Sequence, residues 1–155
     1  MKIYKTDDGS HGIDDQFLAS LFGTDNGGAD PLSDHEFIGK IRSGIPSAAI
    51  TTLSRKIDVS QKDVAAWLHT TPRTIQRSIE AGSPLGLDLS DRVSQLIRVY
   101  RRCRDVFKED TKVSVWLKTP NYALGNSAPA ALLDTIRGME LVLDELGRIE
   151  HGVFI

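Results

Sequence analysis

A chain of 155 residues, 40% hydrophobic and 26% charged, has the makeup of a globular protein with one compact domain or two small ones. No apolar run is long enough to span a bilayer, no secretory signal opens the chain, and a single Cys103 excludes an internal disulfide framework. A net charge of −2 excludes a polycation that holds nucleic acid over its whole surface, and these totals together predict a cytoplasmic protein away from membranes.

Residues 1–32 are diluted by Gly and Asp and are expected to form a flexible N-terminal arm. Within it, residues 13–22 have the spacing of one short amphipathic helix. An inhibitory or dimer-swapping role for the arm is equally open. Ser33 followed by Glu36 is a capping box, which opens a helix through Phe37, Ile38 and Ile41 that should stop at Gly44. Pro46 then starts a second helix, with Ala49, Ile50, Leu53 and Ile57 facing inward and Arg55 and Lys56 outward.

Residues 60–79 read as two short helices joined by a tight turn. Val64, Ala65, Leu68, Ile75 and Ile79 recur at helical spacing. Ser60 caps the first helix, Thr71 caps the second, and Pro72 suits a first helical position because no amide is needed there. Ala65 is small where the two should cross. His69 stands where glycine is usual, so strain or a differently shaped turn is expected. Arg73, Thr74, Gln76 and Arg77 fall off the apolar stripe and face outward. That is the layout of a helix-turn-helix reading the major groove, where Arg pairs with guanine, Gln with adenine, and Thr meets phosphate or a methyl group. An ordinary helical hairpin with a solvated face is the plainer alternative. The surrounding charge favours DNA: Arg73, Arg77, Arg92, Arg98, Arg101, Arg102 and Arg104 make the middle of the chain basic between two acidic ends.

Gly82 should cap the second helix of the pair, with Pro84 preventing continuation. Ser90 is expected to cap a long helix whose apolar face carries Val93, Leu96, Ile97, Tyr100, Val106 and Phe107. Cys103 is expected inside it as a buried thiol, and Arg101 and Arg102 as solvated side chains. A short helix follows from about Thr111. Trp116, Leu117, Tyr122 and Leu124 serve as apolar anchors, and Pro120 and Gly125 fix the turns between them. Pro129 should open a helix continued by Leu132, Leu133 and Ile136, which Gly138 either breaks or packs tightly. Leu141, Val142, Leu143, Leu146 and Ile149 belong to the last helix, and an apolar tail, Gly152-Val-Phe-Ile155, comes after it.

Catalytic signatures are absent from the sequence. The four His residues are scattered, one Cys cannot build a zinc site, and no glycine-rich phosphate loop or nucleophile elbow occurs. The expectation is a protein that is not an enzyme and holds neither metal nor cofactor.

The second half resembles the toxin-binding domain of the Xre/MbcA/ParS antitoxins, which act with RES-domain toxins. The resemblance rests on Trp116-Leu-Lys-Thr-Pro-Asn121, Leu124-Gly125, Pro129, Leu132-Leu133, Asp134-Thr135, Gly138, Val142, Leu146, Ile149 and His151-Gly152, with Thr74-Ile-Gln-Arg77 upstream. It spans roughly residues 33 to 155. The chain departs from the family pattern at Asn126, Ser127 and Ala128, where a second glycine and a small polar residue are usual; Asn can take the left-handed backbone that glycine would.

The residue patterns and the resemblance together predict an all-α protein: a flexible arm over 1–32, a helix-turn-helix bundle over 33–86, and a small helical domain over 87–155 that the resemblance makes toxin-binding. The resemblance also implies the antitoxin of a type II toxin-antitoxin operon. Such a protein silences a RES-domain, NAD-depleting toxin and, as a homodimer, binds the operator DNA of its own operon. Contact with the toxin is then expected at Trp116, Lys118, Asn121, Glu150, His151, Val153, Phe154 and Ile155. The apolar tail either plugs a pocket on the partner or packs on this chain's own core. Two other functions fit the helix pair: a stand-alone transcriptional regulator with a C-terminal dimerisation domain, and a protein-binding adaptor with no DNA role.

Overall fold

Residues 34–152 are described by the structure, a computed structural model. The expected arm, Ser33 of the capping box, and Val153, Phe154 and Ile155 lie outside the described residues. Among the described residues seven α-helices follow one another: α1 (Asp34–Ser43), α2 (Ala48–Ile57), α3 (Gln61–Trp67), α4 (Pro72–Ala81), α5 (Leu87–Phe107), α6 (Asp110–Lys118) and α7 (Ile136–Glu150). Two single 3-10 turns, Tyr122–Leu124 and Pro129–Leu132, separate α6 from α7. The described residues contain no strand, so the all-α expectation holds.

Local chemistry accounts for most boundaries. Acidic side chains occupy the first turn of α1 and basic ones its last, matching the helix dipole. α1 then stops at Gly44, whose φ is +96°; a Cβ there would lie 2.7 Å from Pro84 Cβ and 2.8 Å from the Leu85 carbonyl oxygen. Only glycine fits both that backbone and that contact. Ser60 opens α3 with a full capping box, its hydroxyl accepting from the Asp63 amide at 3.2 Å. Gly82 closes α4 in the left-handed conformation.

Three expected helix starts need correction. α2 begins at Ala48 rather than at Pro46, because Pro46 is held in a short antiparallel bridge to Pro84 and its carbonyl accepts from the Ala49 amide at 3.0 Å. α5 starts at Leu87, ahead of Ser90. Ser90 is fully buried in the first turn instead, where its hydroxyl donates to the Leu85 carbonyl at 3.0 Å and accepts from the Ile45 amide at 2.9 Å. It therefore ties the start of α5 to the chain before α2 rather than capping a helix. Finally, Pro129 opens one 3-10 turn and no more. Thr135 caps α7 afresh, accepting from the Gly138 amide at 2.9 Å, and Gly138 sits inside α7 as a packing glycine.

α5 is the axis of the molecule and packs against α7, α1, α6 and α2, while α2 also packs against α6. One cluster of buried apolar side chains runs from Ile45 through Ile97 to Leu146. Trp116 is half-buried against it and tilts 39° onto Phe107 with ring centres 5.4 Å apart. Tyr122 is no anchor: it is 81% exposed, because the 3-10 turn that carries it buries Leu124 instead.

Cys103 is completely buried, and loss of solvation pushes its thiol up to about 12. It is expected to resist a thiol reagent at pH 8 until denaturant unfolds the chain. Stoichiometric labelling of the native protein would contradict this placement.

Candidate functional site

α3 and α4 form the first site. Val64, Ala65, Leu68 and Ile75 are each buried to about the last per cent. Thr71 accepts from the Thr74 amide at 3.2 Å, and Pro72 stands at the start of α4. With Ile75 turned inward, Arg73, Thr74, Gln76 and Arg77 are all exposed. Gln76 donates to Glu80 at 3.0 Å, one helical turn on, which orients its amide along the outer face.

The turn closes in a Schellman-type arrangement. The Thr70 amide bonds to the Ala65 carbonyl at 2.9 Å and the His69 amide to Ala66 at 3.2 Å. His69 has φ of 55°, the left-handed backbone that its position demands. The strain read from its sequence position is therefore present. Its imidazole Nε2 lies 2.6 Å from the Asp134 carbonyl oxygen, a partner that sequence reasoning missed.

The second set of candidate residues is spread over α6, the loop after it and the end of α7. Lys118 pairs with the Asp58 carboxylate at 3.2 Å and also donates to the Asp58 carbonyl. Asn121 organises its own loop. Its side-chain oxygen accepts from the Ala123 amide at 2.8 Å, its carbonyl accepts from the Asn126 amide at 2.9 Å, and its amide nitrogen reaches Glu145 at 3.3 Å. Asn126 has φ of 61°, so it takes the left-handed role expected of it. Glu145 is buried and is also bound by Arg148, at 2.7 Å and 2.6 Å.

Glu150 ends α7 in an ion pair with Arg102 of α5. That bond holds the Glu150 carboxyl below the usual carboxylate range and raises the Arg102 guanidinium. Arg102 is therefore engaged, contrary to the solvated reading. His151 is exposed just past α7, and Gly152 turns the chain with φ of 67°. Lys118, Asn121 and Glu150 thus hold this chain's own shape. The described residues bring none of the partner-contact candidates into one pocket. A groove of about 370 Å³ does lie between α5 and α7, lined by Arg98, Arg101, Arg102, Asp105, Leu143 and Asp144. Among the described residues no group of His, Cys, Asp and Glu could hold a metal ion, and no helix is long and apolar enough to cross a membrane.

Residues 36–98 match the family model of the antitoxin Xre-like helix-turn-helix domain, and residues 103–152 match that of the antitoxin Xre/MbcA/ParS C-terminal toxin-binding domain. A curated relative, "Antitoxin Xre" of Yersinia enterocolitica, is 41% identical over 76% of this chain and 80% of its own length. The chain belongs to the Xre/MbcA/ParS antitoxin family.

The antitoxin has further relatives. "Prs ADP-ribosylating antitoxin" of Sphingobium is 28% identical, with 76% of this chain and 79% of the relative covered. Among solved structures, the M. tuberculosis MbcT-MbcA toxin-antitoxin complex contains a chain with the same fold, at a TM-score of 0.56 and 21% identity; 70% of this chain and 96% of that one are covered. Arg73, Thr74, Gln76 and Arg77 fall within the helix-turn-helix match. Trp116, Lys118, Asn121, Glu150 and His151 fall within the toxin-binding match.

Proposed function

We propose that this antitoxin binds and silences a RES-domain toxin that consumes NAD, and that as a homodimer it represses its own operon through α4. The observation that carries the DNA half is the division of one helical turn: Ile75 is buried while Arg73, Thr74, Gln76 and Arg77 face solvent. A capped helix presenting that set beside a packed neighbour can enter a major groove. A monomer of this kind touches few base pairs, and a dimer reads two half-sites.

The toxin half rests on family membership and on the end of α7. Glu140 and Asp144 are exposed on α7, and acidic side chains there suit the basic, pyrophosphate-binding cleft of an NAD-consuming enzyme. The Sphingobium relative carries "ADP-ribosylating" in its name, and NAD is the donor in ADP-ribosyl transfer. In this reading Val153, Phe154 and Ile155 enter the toxin, His151 lies at the rim, and Lys118, Asn121, Trp116 and Glu150 hold the surface around them in shape. The protein acts by occupancy and performs no chemistry of its own.

Replacing Arg73 and Arg77 with Ala tests the DNA half. Each substitution is expected to weaken operator binding by about 1–3 kcal/mol, read by fluorescence anisotropy at fixed salt, with toxin binding retained. Unchanged affinity would favour the protein-binding adaptor. Co-expression with the neighbouring gene product tests the other half. The two should co-purify, and failure to associate with any co-encoded protein would favour a stand-alone regulator.

A further inference from the structure

Tyr122 is 81% exposed, the most of any large apolar side chain among the described residues. The turn that carries it is nevertheless fastened throughout. The Asn121 amide donates to the Ser127 carbonyl at 3.0 Å, and the Asn121 carbonyl accepts from the Leu124 and Asn126 amides at 3.0 and 2.9 Å. The Tyr122 carbonyl accepts from the Gly125 amide at 3.1 Å, and the Asn121 side chain accepts from the Ala123 amide at 2.8 Å. Gly125 and Asn126 take left-handed backbone, with φ of 68° and 61°, which for Asn126 is costly. The turn is thus held in one conformation while its largest side chain points into solvent. Burial of Leu124 explains where the turn sits and leaves the display of Tyr122 unexplained.

The surroundings of the turn suit a contact surface. Asn121 Nδ2 reaches the Glu145 carboxylate at 3.3 Å, and Arg148 closes the same carboxylate at 2.7 and 2.6 Å. Leu141 stands one turn before Glu145 on the same side of α7 and is 37% exposed. Covering this surface therefore buries a charge that already has its partners, which avoids the cost of a stranded ion. A tyrosine offers a large area with only two side-chain torsions to fix, and a rigid mount lowers the ordering cost further.

We infer that Tyr122 is a docking point for the co-encoded toxin, its ring entering an apolar slot on that protein with Leu141 beside it, and that Asn121 is the residue that positions it. This rests on the toxin-silencing reading given above and adds a second contact to the one at residues 153–155. The match to the toxin-binding domain spans residues 103–152 and contains both side chains. Charge argues against two other occupants. Glu140 and Asp144, exposed on α7, repel the phosphates of a nucleic acid. A second copy of this chain presents the groove between α5 and α7, whose lining is charged apart from Leu143 and forms no slot for a ring.

The test uses the full chain, the purified co-encoded toxin and the variants Y122A, Y122F and N121A. Y122A should bind toxin at least about 10-fold more weakly than wild type with its thermal midpoint unchanged, and Y122F less than about 3-fold more weakly. N121A keeps the ring and frees its mount, so toxin binding should weaken at least about 3-fold while amide exchange rises at residues 123–127. Tetranitromethane reads the ring directly. It should nitrate Tyr122 in the free protein, spare the buried Tyr100, and modify Tyr122 at least about 10-fold less in the complex. Full toxin affinity in Y122A, or equal nitration of Tyr122 with and without toxin, overturns the inference and leaves the toxin-silencing reading standing. A lower thermal midpoint in Y122A returns the ring to this chain's own packing, and loss of self-association with toxin affinity kept assigns it to a second copy; either overturns the inference. Weak binding by N121A with exchange unchanged overturns the positioning role of Asn121. A wild type that binds no toxin overturns both readings.

Discussion

Replacing Gly138 with alanine is expected to destabilise the fold by about 2–4 kcal/mol. The new Cβ would lie 1.8 Å from the Leu132 carbonyl oxygen, 2.8 Å from its carbon and 2.9 Å from Thr135 Oγ1. Two of those atoms are backbone, so relief requires α7 to lift away from the 129–135 loop. Gly147 makes the matched control. It lies in the same helix, and a Cβ there would meet nothing within 4 Å. Gly147→Ala should stabilise by about 0.5–1 kcal/mol through helix propensity and a less flexible unfolded chain. Urea midpoints for the two variants should therefore move in opposite directions; a Gly138→Ala midpoint equal to wild type would mean that α7 does not rest on Leu132.

Removing residues 152–155 is expected to leave the thermal midpoint of the antitoxin close to wild type and to weaken toxin binding by at least about 2 kcal/mol, roughly 30-fold. The reason is chemical. Phe154 flanked by Val153 and Ile155 is an apolar segment of the sequence just after α7, and Gly152 before it has a left-handed backbone with φ of 67°. Large apolar side chains that enter a partner's pocket carry most of an interface's energy. Growth rescue in cells carrying the toxin gives the first readout, and titration of purified toxin gives the affinity. Undiminished neutralisation would return these residues to a role in the chain's own packing, and a large fall in thermal midpoint would say the same.

The parts of this fold legible in the sequence are those whose causes are local. Ser60, Thr71, Pro72 and Gly82 bound their helices because a cap involves atoms within a few residues of itself. His69 is legible as a position under strain for the same reason, since the turn geometry lies in the chain around it. Its partner, Asp134, is not, because only the fold brings a carbonyl 65 residues away to the imidazole. Ser90 misleads for the converse reason. It has the chemistry of a cap, but Ile45 and Leu85 claim its hydroxyl from outside the helix. Tyr122 looks like an anchor by residue type, yet a 3-10 turn of three residues can bury only one large side chain, and Leu124 takes that place.

The candidate surfaces divide along the same line. The outward set on α4 follows from helical period alone. The partner-contact set came from a resemblance in sequence. Lys118, Asn121 and Glu150 turn out to be bound to Asp58, Glu145 and Arg102, contacts that no local pattern announces. A residue beside a partner's docking surface can hold that surface in shape without touching what binds there, and the bonds of these three suit that role.

The most direct test of the central claim is NAD consumption by the purified co-encoded toxin, followed while this antitoxin is titrated in. The account predicts that consumption falls to the background rate at a fixed stoichiometry, and that the antitoxin alone consumes no NAD. Undiminished consumption in the presence of excess antitoxin, or turnover of NAD by the antitoxin itself, would contradict it.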